Sequence, residues 1–132
     1  MLEILLQAAG DLLTLQTMMF LLIGVFLGLV FGVIPGLGGT TALAILMPLT
    51  FGMRAIDAFA MSGAIMGAVG MGGAFTAILL NAPGTAPNAA TCLYGYPMAT
   101  QGRAAEAIGA NATASPLGGL FGLFTLLLVL PL

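Results

Sequence analysis

Three long stretches without a charged side chain restrict what this 132-residue sequence can fold into, and they cover residues 12–34, 58–80 and 107–132. As a helix, residues 12–34 would extend about 34 Å, more than the ~30 Å hydrocarbon core of a bilayer. The whole chain has only two basic and four acidic residues, too few for the polar surface of a water-soluble globule. The sequence therefore predicts an all-α integral membrane protein with three spanning segments.

The residue types that are missing exclude most enzyme chemistry. The sequence has no His and no Lys, and Cys92 is its single cysteine. These absences exclude His-ligated metals, Ser-His triads, Schiff bases, P-loop lysines and cysteine clusters for zinc. Two arginines cannot form a nucleic-acid surface. We therefore expect no enzymatic activity, no metal site, no cofactor and no nucleic-acid partner, and we expect Cys92 to be inert.

Glycines recur at every fourth position of the first stretch, at Gly24, Gly28, Gly32 and Gly36. Small residues at this spacing let two membrane helices approach closely. We predict that Gly24, Gly28 and Gly32 face another helix rather than lipid. A second pair, Gly63 and Gly67, repeats the spacing, and the glycines within 70–73 predict a loosened helix.

Two Pro-Gly sequences interrupt the apolar stretches. The first break reads Pro35-Gly-Leu-Gly-Gly and continues into Thr40 and Thr41, and the second reads Asn81-Ala-Pro-Gly-Thr-Ala-Pro-Asn88. Proline ends a helix, and broken helices in membranes occur where backbone lines a cavity. We predict that residues 40–53 and 81–103 are broken or re-entrant segments, and that residues 1–11 lie at the membrane interface.

The two breaks are the candidate binding site. If a helix restarts near Thr40, the preceding amides lie at its positive end and suit a carboxylate, as in secondary transporters with discontinuous helices. Carbonyl groups freed at the second break suit a coupling cation. A simple turn and an interfacial loop are the alternatives. The predicted substrate-binding residues are Pro35, Gly36, Gly38, Gly39, Thr40, Thr41, Asn81, Pro83, Gly84, Thr85 and Asn88.

The charged residues near the breaks lie at the edges of the apolar segments. Arg54 and Asp57 precede the second stretch, and Arg103 and Glu106 precede the third. A charge at mid-bilayer costs a few kcal/mol. Interfacial anchoring is therefore favoured over a role in an ion pathway.

Five motifs follow each other in a fixed order. Gly32-Val-Ile-Pro35-Gly36-Leu-Gly38-Gly39 precedes Pro48-Leu-Thr-Phe-Gly52, and Ala77-Ile-Leu-Leu-Asn81-Ala-Pro83-Gly84-Thr85 precedes Gly95-Tyr-Pro97-Met-Ala and Gln101-Gly102-Arg103-Ala. Over almost the whole chain, this pattern resembles the N-terminal part of the large permease subunit of tripartite tricarboxylate transporters. Because that permease is much longer, the resemblance implies an N-terminal fragment of a larger transporter.

The resemblance implies a multi-pass protein of the bacterial inner membrane. In such systems a periplasmic solute-binding protein delivers a carboxylate such as citrate. The permease and a small membrane subunit carry it inward by symport with an ion, H⁺ or Na⁺. Two departures from the family pattern remove an acidic group, at Tyr94, and a hydroxyl, at Ala74, from near the expected site. The alternative is a small structural or assembly membrane protein that oligomerises through its Gly-xxx-Gly seams.

Overall fold

The computed structural model describes residues 2–129 and consists of helices joined by short turns. In chain order they are α1 (Leu2–Leu12), α2 (Leu15–Val33), α3 (Gly39–Leu46), a 3₁₀ turn (Met47–Thr50), α4 (Ala55–Leu80), α5 (Asn88–Thr100) and α6 (Ala104–Val129). Within this described range no strand occurs, which confirms the predicted all-α class. Residue 1 of the predicted interfacial segment and residues 130–132 of the third predicted span lie outside the described residues.

Three helices of the described part are long and apolar enough to cross a membrane. They are α2, α4 and α6, and they coincide with the three charge-free stretches. α6 begins before the third stretch and carries Glu106 in its first turn. Its residues 112–124 are exposed throughout, and an apolar helix with no packed face needs lipid or another helix around it.

The ends of the helices follow from local chemistry. α2 begins after Thr14, whose side chain accepts a hydrogen bond from the Thr17 amide, and it ends two residues before Pro35. α4 ends at Leu80, and its C-cap residue Asn81 adopts a left-handed conformation with φ 54°. Asparagine tolerates that conformation, and Pro83 prevents the helix from resuming. Both breaks therefore begin where their prolines predict.

The core of the molecule is the contact between α2 and α4. Gly24, Gly28 and Gly32 are all buried on the α4-facing side of α2. A Cβ placed on Gly28 would lie 2.6 Å from the Ile65 carbonyl oxygen, so the two backbones touch. This confirms that the three glycines face another helix. Gly36 does not extend the seam, because it lies beyond the end of α2.

The predicted loosening at residues 70–73 is wrong, because α4 is continuous through them. Gly72 and Gly73 are buried. Because they lack side chains, neighbouring segments can pack closely against α4, and the helix does not bend there. A Cβ on Gly72 would lie 2.6 Å from the Leu29 carbonyl oxygen. The second break is also narrower than the predicted 81–103: it occupies 81–87, and α5 then continues as helix through Pro97.

Candidate functional site

The two breaks meet at one open cavity of about 530 Å³. Its walls are the start of α3, the middle of α4 and the loop before α5. The lining residues are Gly36, Gly38, Gly39, Thr40, Thr41, Met66, Val69, Gly70, Pro83, Gly84, Thr85, Ala86 and Pro87. The two breaks therefore lie next to each other in the fold.

Eight of the eleven predicted site residues line this cavity. Within the described structure, Pro35, Asn81 and Asn88 do not. Sequence reasoning missed the contribution of α4, made by Met66, Val69 and Gly70. Nothing in the sequence distinguishes these residues from other apolar and small residues of α4, so only the fold reveals them. That the cavity binds a substrate stays a prediction.

The first break leaves its backbone open to the cavity. α3 begins at Gly39, and its first hydrogen bond joins the Ala42 amide to the Gly38 carbonyl oxygen at 3.1 Å. The amides before Ala42 therefore have no partner within the helix, as at any helix start. No described atom lies within 4 Å of a Cβ placed on Gly36 or Gly38. A ligand can approach this backbone without steric hindrance.

The second break is packed tightly. Gly84 is buried, and a Cβ there would collide with the Gly32 carbonyl oxygen and the Gly73 Cα. Asn88 is also buried, and its side-chain Nδ2 donates a hydrogen bond to the Gly70 carbonyl oxygen at 3.1 Å. The predicted ligand Asn88 therefore lies outside the cavity and fastens the loop to α4.

The electrostatics of the cavity come from backbone and hydroxyl groups. None of the described residues that line it is charged, and its polar side chains are Thr40, Thr41 and Thr85. The starts of both α3 and α5 adjoin the cavity. Each helix start carries roughly half a positive charge. Within residues 2–129 no group of three His, Cys, Asp or Glu side chains could hold a metal. The arrangement is suited to binding an anion and offers no acid–base chemistry.

A buried ionic cluster lies at the other end of the α2–α4 contact. The Asp57 carboxylate is fully buried and accepts hydrogen bonds from Thr17 Oγ1 at 2.7 Å, Gln16 Nε2 at 3.0 Å and Arg54 Nε at 2.8 Å. The hydrogen bond to Asp57 raises the pKa of Arg54 above its ordinary value, so the guanidinium stays charged. We expected Asp57 to be an anchor at the membrane interface. The buried carboxylate instead does not face water and links the starts of α2 and α4.

This cluster is separate from the cavity. Gly70 lies thirteen positions after Asp57 on α4, a rise of about 20 Å along the helix. In the sequence, only the spacing of three between Arg54 and Asp57 indicates an ion pair. No sequence signal indicates that this ion pair contacts α2. The second ion pair, Arg103 with Glu106, is exposed at the start of α6.

The two departures from the family pattern lie away from the cavity. Tyr94 is exposed on α5 and faces a separate recess between α5 and α6. Ala74 is buried within α4. Neither position lines this cavity in the described structure, and the effect of the missing acidic group and hydroxyl on transport stays a prediction.

Three membrane-length helices and two helix breaks around a shared cavity define an integral membrane protein with discontinuous helices. A model of the tripartite tricarboxylate transporter TctA family matches residues 18–132. The chain belongs to this family. Membership makes it part of a protein from a transporter family.

A protein of Agrobacterium vitis, described as an uncharacterized 52.8 kDa protein in the TAR-I ttuC' 3' region, is 38% identical over 109 residues. The match covers 83% of this chain and 22% of that relative. The chain thus spans less than a quarter of the length of the relative. No solved structure matches the chain.

Proposed function

We propose that this chain forms part of the substrate pathway of a secondary importer for tricarboxylates or related carboxylates. In this proposal the permease lies in the bacterial inner membrane and crosses it several times. A periplasmic solute-binding protein delivers the substrate, and a small membrane subunit completes the transporter. The observation that supports the proposal most is the meeting of both breaks, each next to a helix start, at one cavity.

Charge neutralisation is the physical argument for a carboxylate. A bare charge in a medium of low dielectric constant costs many kcal/mol. The chain has no Lys or His, and neither of its arginines is among the lining residues of the described cavity. Helix starts are the remaining local resource, because they combine partial positive charge with amides that lack a helical partner.

The coupling ion of the proposed symport is H⁺ or Na⁺. Backbone carbonyl groups at broken helices coordinate such ions in other secondary transporters, and residues 81–87 provide such a backbone here. No further cofactor belongs to the proposal.

The alternative is a structural protein that oligomerises through its Gly-xxx-Gly seams, of which the first is occupied within the chain. Gly24, Gly28 and Gly32 are buried against α4 of the same chain. A seam already occupied within one molecule is not available to a second copy. The first seam therefore argues against the assembly proposal, whereas Gly63 and Gly67 of the second seam have open space around them among the described residues.

Uptake by a full-length permease that contains this sequence tests the proposal. Gly38→Val places bulk where a ligand would meet the first break, and no described atom lies within 4 Å of a Cβ at this position. We expect labelled citrate uptake to fall by about tenfold or more, which corresponds to about 1.4 kcal/mol of lost binding. Gly122→Val is the control, since in the described structure it too has open space around it.

Both variants must be present in the membrane at equal levels, and uptake is measured in vesicles supplied with the binding protein. Normal uptake and affinity in Gly38→Val would contradict the amide-lined site. Gly84→Val is not a suitable probe, because a Cβ at Gly84 collides with backbone whether or not a ligand binds.

A further inference from the structure

We propose that residues 36–52 form a hinged arm that opens and closes the cavity against a fixed wall. The arm contains α3, the 3₁₀ turn and the glycines that flank them. The fixed wall consists of α4 and residues 81–87. This inference rests on the proposed function, because it assumes that the cavity admits a substrate.

Each end of the arm has a glycine in the left-handed region. Gly36 has φ 87° and Gly52 has φ 86°, values that other residues rarely adopt. The backbone hydrogen bonds beside them are local, from the Leu37 amide to the Ile34 carbonyl oxygen and from the Met53 amide to the Thr50 carbonyl oxygen. Within the described structure, no atom lies within 4 Å of a Cβ placed on either glycine. Both ends can therefore rotate without breaking long-range contacts.

The arm packs incompletely on α4. Ala42 is its only fully buried side chain among the described residues. Beyond Ala42, Leu43 and Leu46 of the arm are only partly buried against Met61 and Ile65 of α4, and a pocket of about 140 Å³ lies among these side chains. Segments with few buried apolar contacts open at low free-energy cost. The energy that opposes movement of the arm is therefore small.

The wall opposite the arm has no such freedom. Gly84 contacts the Gly32 and Gly73 backbone, and Asn88 bonds to the Gly70 carbonyl oxygen. Residues 81–87 and α4 cannot move apart or closer without breaking these backbone contacts, because packed interiors resist deformation. On the arm side, a Cβ at Gly39 would instead meet the Met66 Sδ at 2.7 Å, and the end of a methionine adapts easily. A change in cavity size must therefore come from the arm.

Cross-linking across the gap tests the arm in a full-length permease that contains this sequence. Leu46→Cys and Ser62→Cys face the same gap and lie outside the cavity lining. In a Cys92→Ser background, a short cleavable bis-methanethiosulfonate reagent joins them, and reductant releases them. We expect citrate uptake to fall to the level of vesicles without permease when the pair is joined, and to return after reduction.

The matched control joins two elements that both lie outside the arm. Met71→Cys and Asn111→Cys link α4 to α6, since the Asn111 Nδ2 lies 3.1 Å from the Met71 Sδ. In the same background and with the same reagent, this link should leave uptake unchanged. Full uptake with the arm cross-linked would overturn the hinged arm while the proposed function stands. Absence of citrate uptake by the unmodified permease would overturn both.

A distance measurement keeps the inference testable if the cysteine pair impairs folding. Spin labels at Ile45→Cys on the arm and Phe59→Cys on α4 replace exposed side chains. Pulsed electron–electron double resonance should show a shift in their distance when citrate is added. The control pair, Phe59→Cys with the exposed Leu93→Cys on α5, should show none. An unchanged arm distance overturns the inference.

Discussion

The two breaks have nearly the same sequence pattern, a Pro-Gly step followed by threonine, but they pack in opposite ways. In the first break, Gly36 and Gly38 have open space around them throughout the described structure. In the second, Gly84 lies against the backbone of α2 and α4. Glycine thus exposes backbone to a cavity in one break and brings three backbones together in the other.

This difference teaches that a helix break in a membrane protein has two separable roles. An open break offers amides to a ligand and has the freedom to move. A packed break fixes one wall of the cavity and depends on the elements behind it. Substitutions of the same chemistry at Gly38 and Gly84 should therefore act differently, the first on binding and the second on stability.

The largest expected effect is on the seam that supports the second break. Gly28→Leu forces a side chain into the Ile65 carbonyl oxygen and the Ala68 Cβ, 2.6 and 2.8 Å from a Cβ at that position. Overpacking of this kind costs about 3 kcal/mol of unfolding free energy, measured by denaturation of the chain in detergent micelles. Gly67→Leu, with open space around it among the described residues, should cost far less.

The same substitution tests whether the seam holds the second break and not the first. Thr41→Cys and Thr85→Cys are both half-buried reporters. With Gly28→Leu, maleimide labelling should accelerate at Thr85→Cys and stay the same at Thr41→Cys. Equal acceleration at both would mean that the two breaks depend on the seam alike.

A smaller loss of unfolding free energy should distinguish the two breaks directly. Gly84→Ala places a Cβ into the Gly32 carbonyl oxygen and the Gly73 Cα, and should lower the unfolding free energy by about 2 kcal/mol. Gly38→Ala meets no described atom within 4 Å. It should cost about 1 kcal/mol or less, because glycine is preferred over alanine at a helix N-cap. Thermal denaturation of both variants is the measurement, and similar losses would remove the distinction.

The smallest effect concerns how the second break is fastened. A Cβ at Gly73 would collide with the Asn88 Nδ2, so Asn88→Ala should relieve part of the damage caused by Gly73→Ala. A double-mutant cycle should give a coupling of about 1 kcal/mol, whereas Gly73→Ala with Thr40→Ala should be additive within about 0.5 kcal/mol. If the changes in unfolding free energy of Gly73→Ala and Asn88→Ala were additive, the Asn88 side chain would not be packed against Gly73.

Much of the site was predictable, because its signals are local. Pro35 and Pro83 end helices through their own geometry, and the restart of α3 beside Thr40 follows from the preceding glycines. The role of Asn88 was not predictable, since a buried amide that bonds to a carbonyl oxygen of another helix looks in sequence like any polar residue of a loop. The burial of Asp57 was missed for the same reason.

The sequence by itself determined that this protein lies in a membrane, that it is helical, where its breaks fall and which face of α2 packs. These depend on hydropathy, on proline and on the fourfold spacing of glycine, all of which act within one helix or turn. Only the tertiary structure decided which break is open and which is packed. That choice depends on where α4 passes: its backbone reaches Gly84 through Gly73, while it meets the first break through the side chains of Met66 and Val69.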